Sequence, residues 1–301
     1  FIVNRIARPF YGEALSILQE QGARPHEVDA CLVAAGFRMG PCALMDLIGH
    51  DTNFAVTSSV YAANFFDKRF VPSIVQRELV DGGLLGRKAG QGFYNYIGAD
   101  AGPPSLEVAS SNVASIQGEV VVHGRDPQAD WIAAAVSGRE SVQLRRDSTA
   151  EWTGVSSDGL TLMMTNGRTA SEMGAVHRGQ HVAVFDRFDP TRLKELGTPM
   201  PLSFAVAQDC DAAVVEQARN RLMALGFNPV LIKDLPGLLV ARTLAMLINE
   251  AADAVSQGVC EQGAADAAMK LGVNYPRGPF EWFAEWSADP RNCASSVAAV
   301  L

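Results

Sequence analysis

The sequence predicts a mostly α chain with a central α/β segment, in which two duplicated helical units flank a strand-rich middle. Three observations predict it. Apolar residues recur at helical spacing through residues 1–82, short strand-like runs take over from about residue 105, and helical spacing returns after Pro236-Gly237. The domains therefore read as 1–104, 105–235 and 236–301.

Val3, Ile6, Ala7, Phe10, Ala14, Ile17 and Leu18 make one buried stripe on the entering helix. Pro9 lacks an N–H and clashes with the preceding turn, so a kink is predicted there, and Gly22 ends the helix. Pro25 suits the first turn of a second helix through Val28, Cys31 and Leu32, which Gly36 closes. Pro41, Asp51 and Pro72 open further helical stretches. Gly82-Gly83-Leu84-Leu85-Gly86-Arg87-Lys88-Ala89-Gly90-Gln91-Gly92-Phe93-Tyr94 is glycine-rich and carries two adjacent cations. It lacks GxGxxG or GK[ST] spacing and a strand-to-helix context. It reads as a structural turn anchored by Phe93 and Tyr94 rather than as a phosphate cradle. Gly98 to Pro104 reads as a linker.

The middle holds strand-like runs at Glu119-Val120-Val121-Val122-His123, Leu160 to Met164, His181 to Phe185, Leu202 to Val206 and Val230 to Ile232. A helix follows Asp211, its N-cap, and runs to Leu225. The alternation suggests a Rossmann-like sheet. The first turn, Val122-His123-Gly124-Arg125-Asp126, has a single glycine, so a pyrophosphate could not approach the backbone closely. The segment reads as degenerate, with dinucleotide binding lost.

The last helical unit repeats the first. Val3, Arg5, Glu13, Asp29, Gly36, Gly40 and Pro41 match Val240, Arg242, Glu250, Asp266, Gly272, Gly278 and Pro279. Such repeats pack face to face to bury matching stripes. Met246 stands at the place of Pro9, so the second entering helix should be straighter. Asn4 is replaced by Ala241, whereas Arg5 and Arg242 are kept, as are Glu13 and Glu250. A cap needed for folding should appear in both copies, while a chemical group is needed only where the active site lies. Asn4 is therefore the candidate catalytic residue, and the kept charges read as structural.

Composition sets the outer bounds. The 301 residues are 48% apolar and 19% charged, with 25 basic against 33 acidic residues and a net charge of -8. That balance argues against a nucleic-acid partner. The five cysteines are scattered and never paired as CxxC, which fits reduced thiols in a cytoplasmic protein. No apolar run is long enough to span a bilayer, so no membrane partner is expected. The five histidines show no metal-ligand spacing, so no metal site is expected. Trp282, Phe283 and Trp286 at helical spacing read as core or interface residues rather than an acyl pocket. The chain starts at Phe1 inside a helical motif, which reads as a fragment with its upstream part removed.

Phe1-Ile2-Val3-Asn4-Arg5, the proline that follows at position 9, Gly36-Phe37-Arg38-Met39-Gly40-Pro41 and Gly86-Arg87-Lys88-Ala89-Gly90-Gln91-Gly92-Phe93-Tyr94-Asn95-Tyr96 resemble the C-terminal domain of 3-hydroxyacyl-CoA dehydrogenases. The resemblance is close over residues 1–96 and weaker over 236–286. It implies two such helical domains around the degenerate Rossmann-like segment, as in long bacterial enzymes of phenylacetate breakdown and 3-hydroxybutyryl-CoA metabolism. It also implies NAD as the cofactor of the parent, an acyl-CoA substrate and β-oxidation-type chemistry. A base on an N-terminal NAD-binding domain would take the hydroxyl proton. That domain is expected to be absent from this chain, leaving a silent C-terminal fragment with no cofactor-binding residue of its own. Asn4 matches the family's catalytic asparagine. The repeats would form a homo-oligomer or an intrachain pseudo-dimer. An alternative is a non-catalytic dimerisation or assembly module, and a further one is a different two-domain hydroxyacid dehydrogenase.

Overall fold

The computed structural model describes residues 2–99, 101–108, 116–177, 181–196 and 199–287. Phe1, Asp100 of the expected linker, Cys293 and the tail of the expected 236–301 domain lie outside the described residues. The first helices are α1 (Ile2–Ile6), α2 (Arg8–Gln19), α3 (Pro25–Ala34), α4 (Pro41–Ile48), α5 (His50–Ala63) and α6 (Ile74–Asp81). Then come β1 (Gly118–His123), α7 (Pro127–Val136), β2 (Val142–Asp147), β3 (Gly154–Ser157), β4 (Leu160–Met164), α8 (Ala170–Val176) and β5 (His181–Phe185). They are followed by α9 (Pro190–Leu196), β6 (Met200–Val206), α10 (Ala212–Ala224) and β7 (Phe227–Leu231). The chain closes with α11 (Val240–Ser256), α12 (Gln262–Val273) and α13 (Pro279–Ser287).

The expected fold class needs correction. Residues Phe1–Leu106 and Arg242–Glu285 form one compact unit, and Glu107–Ala241 forms another. The two helical copies are thus not separate domains flanking a middle one. They build a single helical unit, and the other unit is a seven-stranded α/β unit of Rossmann-like character.

The reason lies in the charges that both copies keep. Arg5 Nε donates to Glu250 at 2.6 Å and its Nη2 to Asp253 at 2.6 Å. In return, Arg242 Nε donates to Glu13 at 2.5 Å and its other nitrogens to Glu20 at 3.3 Å. Each copy's arginine takes the other copy's glutamate. Glu250 is only 2% exposed, and a carboxylate buried alone would be severely unfavourable. Neither copy can satisfy its charges without the other. Apolar contacts follow the same pattern, since Phe37 meets Phe10 at 4.7 Å, Tyr275 at 5.0 Å and Trp282 at 5.7 Å between ring centroids. Phe283, by contrast, is exposed.

Pro9 acts as the spacing predicts: the entering helix divides into α1 and α2 around Ala7. With Met246 at the matching place, α11 runs without a break for 17 residues. The repeated Gly-Pro also has a physical explanation. The Asp29 carboxylate accepts from the Cys42 and Ala43 N–H groups at 2.8 and 2.9 Å, satisfying the free end of α4. A Cβ on Gly40 would fall 2.3 Å from the Asp29 side chain. In the second copy Asp266 accepts from Phe280 N–H at 2.8 Å, and a Cβ on Gly278 would again fall 2.3 Å away. Glycine is required in both places because an aspartate from the preceding helix passes over it.

In the α/β unit the strand order is β2-β1-β3-β4-β5-β6-β7. Pairing is parallel for β1–β2, β4–β5 and β6–β7 and antiparallel for β1–β3, β3–β4 and β5–β6. Val120, Val122, Leu162, Val184 and Phe204 are buried along its length. Two strands escape the sequence pattern. β2 (Val142-Gln143-Leu144-Arg145-Arg146-Asp147) is an edge strand with little apolar alternation, its charges suited to an exposed edge. β3 has four residues, two of them serine.

Candidate functional site

The one residue singled out from the sequence, Asn4, is exposed and sits inside α1, two residues beyond its first. It is not an N-cap. Its side-chain amide has no hydrogen-bond partner among the described residues, and its backbone oxygen accepts from Arg8 Nε at 2.9 Å. At the matching place Ala241 is buried. A free amide on one copy, against a packed methyl on the other, leaves Asn4 available to a ligand.

The glycine-rich turn is built around Asp46, a residue without a sequence signal. Asp46 is fully buried, and its carboxylate accepts from His50 Nε2 at 2.8 Å and Phe93 N–H at 2.9 Å. Tyr94 N–H and the Tyr96 hydroxyl complete the set at 3.0 Å each. A Cβ on Gly92 would come within 2.0 Å of Asp46 Oδ1, so the glycine exists to let the turn close on that oxygen. Lys88 is taken by Asp51 at 2.5 Å. This turn holds a carboxylate, not a phosphate. His50 resembles half of a proton-transfer pair with Asp46, but it is fully buried and its Nδ1 lies 3.4 Å from Gln76 Nε2. The Cys42 thiol nearby is buried, and burial pushes its pKa well up, which removes it as a nucleophile.

The α/β unit carries a second arrangement with catalytic spacing. His123 Nδ1 lies 3.2 Å from Asp147, and its Nε2 lies 3.0 Å from Ser156 Oγ. Ser156, however, is paired in mid-sheet with β1 and β4, and its hydroxyl also meets Thr161 Oγ1 at 3.0 Å. Strand N–H groups lie in the plane of the sheet, while a side chain projects from its face. No oxyanion donor can converge there, and the Trp152 ring stacks on His123 at 4.1 Å. The set is structural. Burial holds the His123 pKa below the usual value, against the opposing pull of Asp147. A histidine depressed in the folded state loses stability as pH falls from the unfolded value of about 6.5 towards the folded one. Melting temperatures at pH 7.5 and 5.5 should therefore diverge less for His123→Gln than for the native chain. Equal divergence would refute this.

Rossmann-type units hold pyrophosphate at the first strand-to-helix turn, where free helix N–H groups face the anion. Here a carboxylate already occupies that end. Asp126 accepts from Ala129 N–H at 2.8 Å, bonds the Thr153 hydroxyl, and precedes Pro127, which has no N–H. A Cβ on Gly124 would meet Thr153 Oγ1 at 2.9 Å, so this glycine accommodates the chain's own neighbour. Asp234 likewise takes the Ala170 and Ser171 N–H groups at 2.5 and 2.8 Å. Asp186, its pKa raised by burial, takes those of Leu239, Val240 and Ala241 at 2.9, 2.7 and 2.9 Å. A phosphate at any of these ends would meet a carboxylate. The residues present do not fit a dinucleotide at the β1–α7 turn. Among the described residues, no three His, Cys, Asp or Glu side chains gather as metal ligands, and no helix is long and apolar enough to cross a membrane.

The sequence model for the C-terminal domain of 3-hydroxyacyl-CoA dehydrogenase matches residues 1–96 and 237–297, together more than half of the chain. A second, for the reduced Rossmann-fold domain of 3-hydroxybutyryl-CoA dehydrogenase, matches residues 162–236. The chain is 39% identical over 286 residues to 3-hydroxyadipyl-CoA dehydrogenase of Escherichia coli K12, covering 95% of this chain and 52% of that protein. A probable 3-hydroxybutyryl-CoA dehydrogenase of Deinococcus radiodurans is 38% identical over 97 residues, 32% of this chain and 34% of that one. The crystal structure of 3-hydroxybutyryl-CoA dehydrogenase from Escherichia coli K12 superposes with a TM-score of 0.76 at 36% identity, covering 97% of this chain and 54% of that one. The chain thus spans about half the length, or less, of these relatives. These findings correct the expectation of a silent C-terminal fragment from which the NAD-binding domain is absent, and of a middle segment that is only a degenerate remnant. A Rossmann-fold match falls inside the seven-stranded unit, and similarity to a dehydrogenase runs through nearly the whole chain.

Proposed function

Because the chain belongs to the 3-hydroxyacyl-CoA dehydrogenase family, we propose that it serves the interconversion of 3-hydroxyacyl-CoA and 3-oxoacyl-CoA thioesters, with Asn4 as the residue that holds the substrate. The observation that carries this reading is the exposed amide of Asn4, without a partner among the described residues, in contrast to its buried counterpart in the repeat, Ala241. An amide offers both donor and acceptor. Its N–H can bond the substrate oxygen that gains charge as the carbonyl forms or is reduced. Its carbonyl oxygen can accept from the acid or base that exchanges the hydroxyl proton. Such a group acts through geometry and electrostatics, and needs no change of its own charge.

NAD is the hydride acceptor that we propose for the whole protein, in keeping with the family. The β1–α7 turn is not its seat, for the reasons of charge and space given by Asp126, Pro127 and Thr153. The helical unit contributes the substrate side of the reaction. The reciprocal ion pairs supply within one chain the self-complementary packing that a dimer of helical units would otherwise provide, which supports a pseudo-dimer.

Calorimetric titration of the chain with acetoacetyl-CoA tests the reading, together with acetoacetyl-CoA-dependent oxidation of NADH by the whole protein. Saturable binding and turnover are expected. Their absence would leave an assembly module as the better description.

A further inference from the structure

Among the described residues of the helical unit, the half-buried Arg5 and Arg242 come with carboxylates, whereas the buried Arg8 does not. Arg5 is held by Glu250 and Asp253, and Arg242 by Glu13 and Glu20. Arg8 is 8% exposed, more buried than many of these charges, and no carboxylate pairs with it among the described residues. Its Nε donates to the Asn4 backbone oxygen at 2.9 Å, and its Nη1 to the neutral Thr57 hydroxyl at 3.2 Å. The guanidinium carbon lies 4.7 Å over the Tyr11 ring. Nη2 has no partner. Burial lowers the Arg8 pKa, with only Tyr11 and Tyr275 opposing it.

An uncompensated buried cation is costly, and folding alone gives no reason to keep one. The duplication sharpens the point. At the offset that pairs Asn4 with Ala241 and Arg5 with Arg242, Arg8 pairs with Ala245, which is 0% exposed. Asn4 and Arg8 are both polar in the first copy and alanine in the second. They lie four residues apart, on either side of the break at Ala7, and the Arg8 Nε bonds the Asn4 backbone oxygen. Arg8 also lines a cavity of about 120 Å³ with Tyr11, Leu15, Thr57, Phe70 and Gln76. Whole small-molecule sites run to roughly 300–1,000 Å³, so this one suits the end of a ligand rather than all of it.

We propose that Arg8 is the receptor for a carboxylate at the far end of the acyl chain, which makes dicarboxylic 3-hydroxyacyl-CoA thioesters the preferred substrate class. This rests on the acyl-CoA reading of Asn4. The guanidinium fork matches a carboxylate in planarity and charge, and the bound anion completes the pairing that the protein leaves open. Tyr11, Leu15 and Phe70 surround the last methylenes and keep water away from the pair.

The test compares adipyl-CoA with hexanoyl-CoA, which differ in the distal carboxylate, by calorimetric titration of the native chain, Arg8→Met and Arg8→Lys. The native chain is expected to bind adipyl-CoA at least tenfold more tightly. Arg8→Met should weaken adipyl-CoA at least tenfold more than hexanoyl-CoA. Arg8→Lys, which keeps the charge without the planar fork, should fall between them. Hexanoyl-CoA binding also reports that each variant is folded. Equal affinities in the native chain, or a preference that survives in Arg8→Met, would overturn the proposal and leave the acyl-CoA reading standing. Equal weakening of both ligands by Arg8→Met would move Arg8 to a CoA phosphate and overturn it too. Absence of binding by either ligand would sink the acyl-CoA reading, and this assignment with it.

Discussion

Asn4→Ala is expected to lower kcat for 3-hydroxyacyl-CoA turnover about 100-fold, the scale of removing one oriented donor from a charge-developing centre. The melting temperature should stay where it was. That pairing of results follows from the surroundings of Asn4: its side chain is exposed and bonds nothing among the described residues, so its truncation leaves no buried group unsatisfied. Alanine is also the residue that the second copy already tolerates at this place, as Ala241. Steady-state kinetics and a thermal melt on the same preparation decide the matter. Unchanged kcat would remove Asn4 from the chemistry, and a loss that follows a lower melting temperature would make it a structural residue.

Asp46→Ala should do the reverse, destabilising the helical unit by about 3–5 kcal/mol, the range for removing one partner from a buried charged network. The carboxylate is the common acceptor for His50, Phe93 N–H, Tyr94 N–H and Tyr96, and its loss strands four donors in the interior. Asp46→Asn, which retains one acceptor oxygen, should cost less. Denaturant unfolding followed by the fluorescence of Tyr94, Tyr96 and their neighbours measures both. A loss below about 1 kcal/mol for the alanine variant would show that the turn closes without its acceptor. This prediction also separates the glycine-rich turn from phosphate chemistry, because it attributes Gly92 and Lys88 to internal partners.

Features that depend on local backbone chemistry were legible from the residues alone. Pro9 divides the entering helix, and Gly40-Pro41 and Gly278-Pro279 open α4 and α13. Elements without an apolar pattern were not. β2 shows charges to solvent at the sheet edge, and β3 is too short for alternation to register. Asp46 was invisible because an acid four residues before a histidine on a helix is ordinarily an exposed pair. Its burial arises from a turn 47 residues away in sequence. Arg8 did carry a signal, the same contrast with alanine that marks Asn4. It went unread because arginine near a helix start has many harmless explanations.

The sequence by itself determined that a helical unit is duplicated, where each copy breaks, and that one copy carries polar groups which the other lacks. These are statements about positions within a repeat, and periodicity and identity record them directly. Only the tertiary structure decided that the copies join as one unit and that their arginines and glutamates cross over. It alone showed that Arg8, among the described residues, lacks the carboxylate that Arg5 and Arg242 have. Pairing of charges is a property of distance and burial, and two residues with the same letter differ by what the fold places beside them. Arg5 and Arg8 look alike in the sequence; one closes the fold, and the other is left open for an anion.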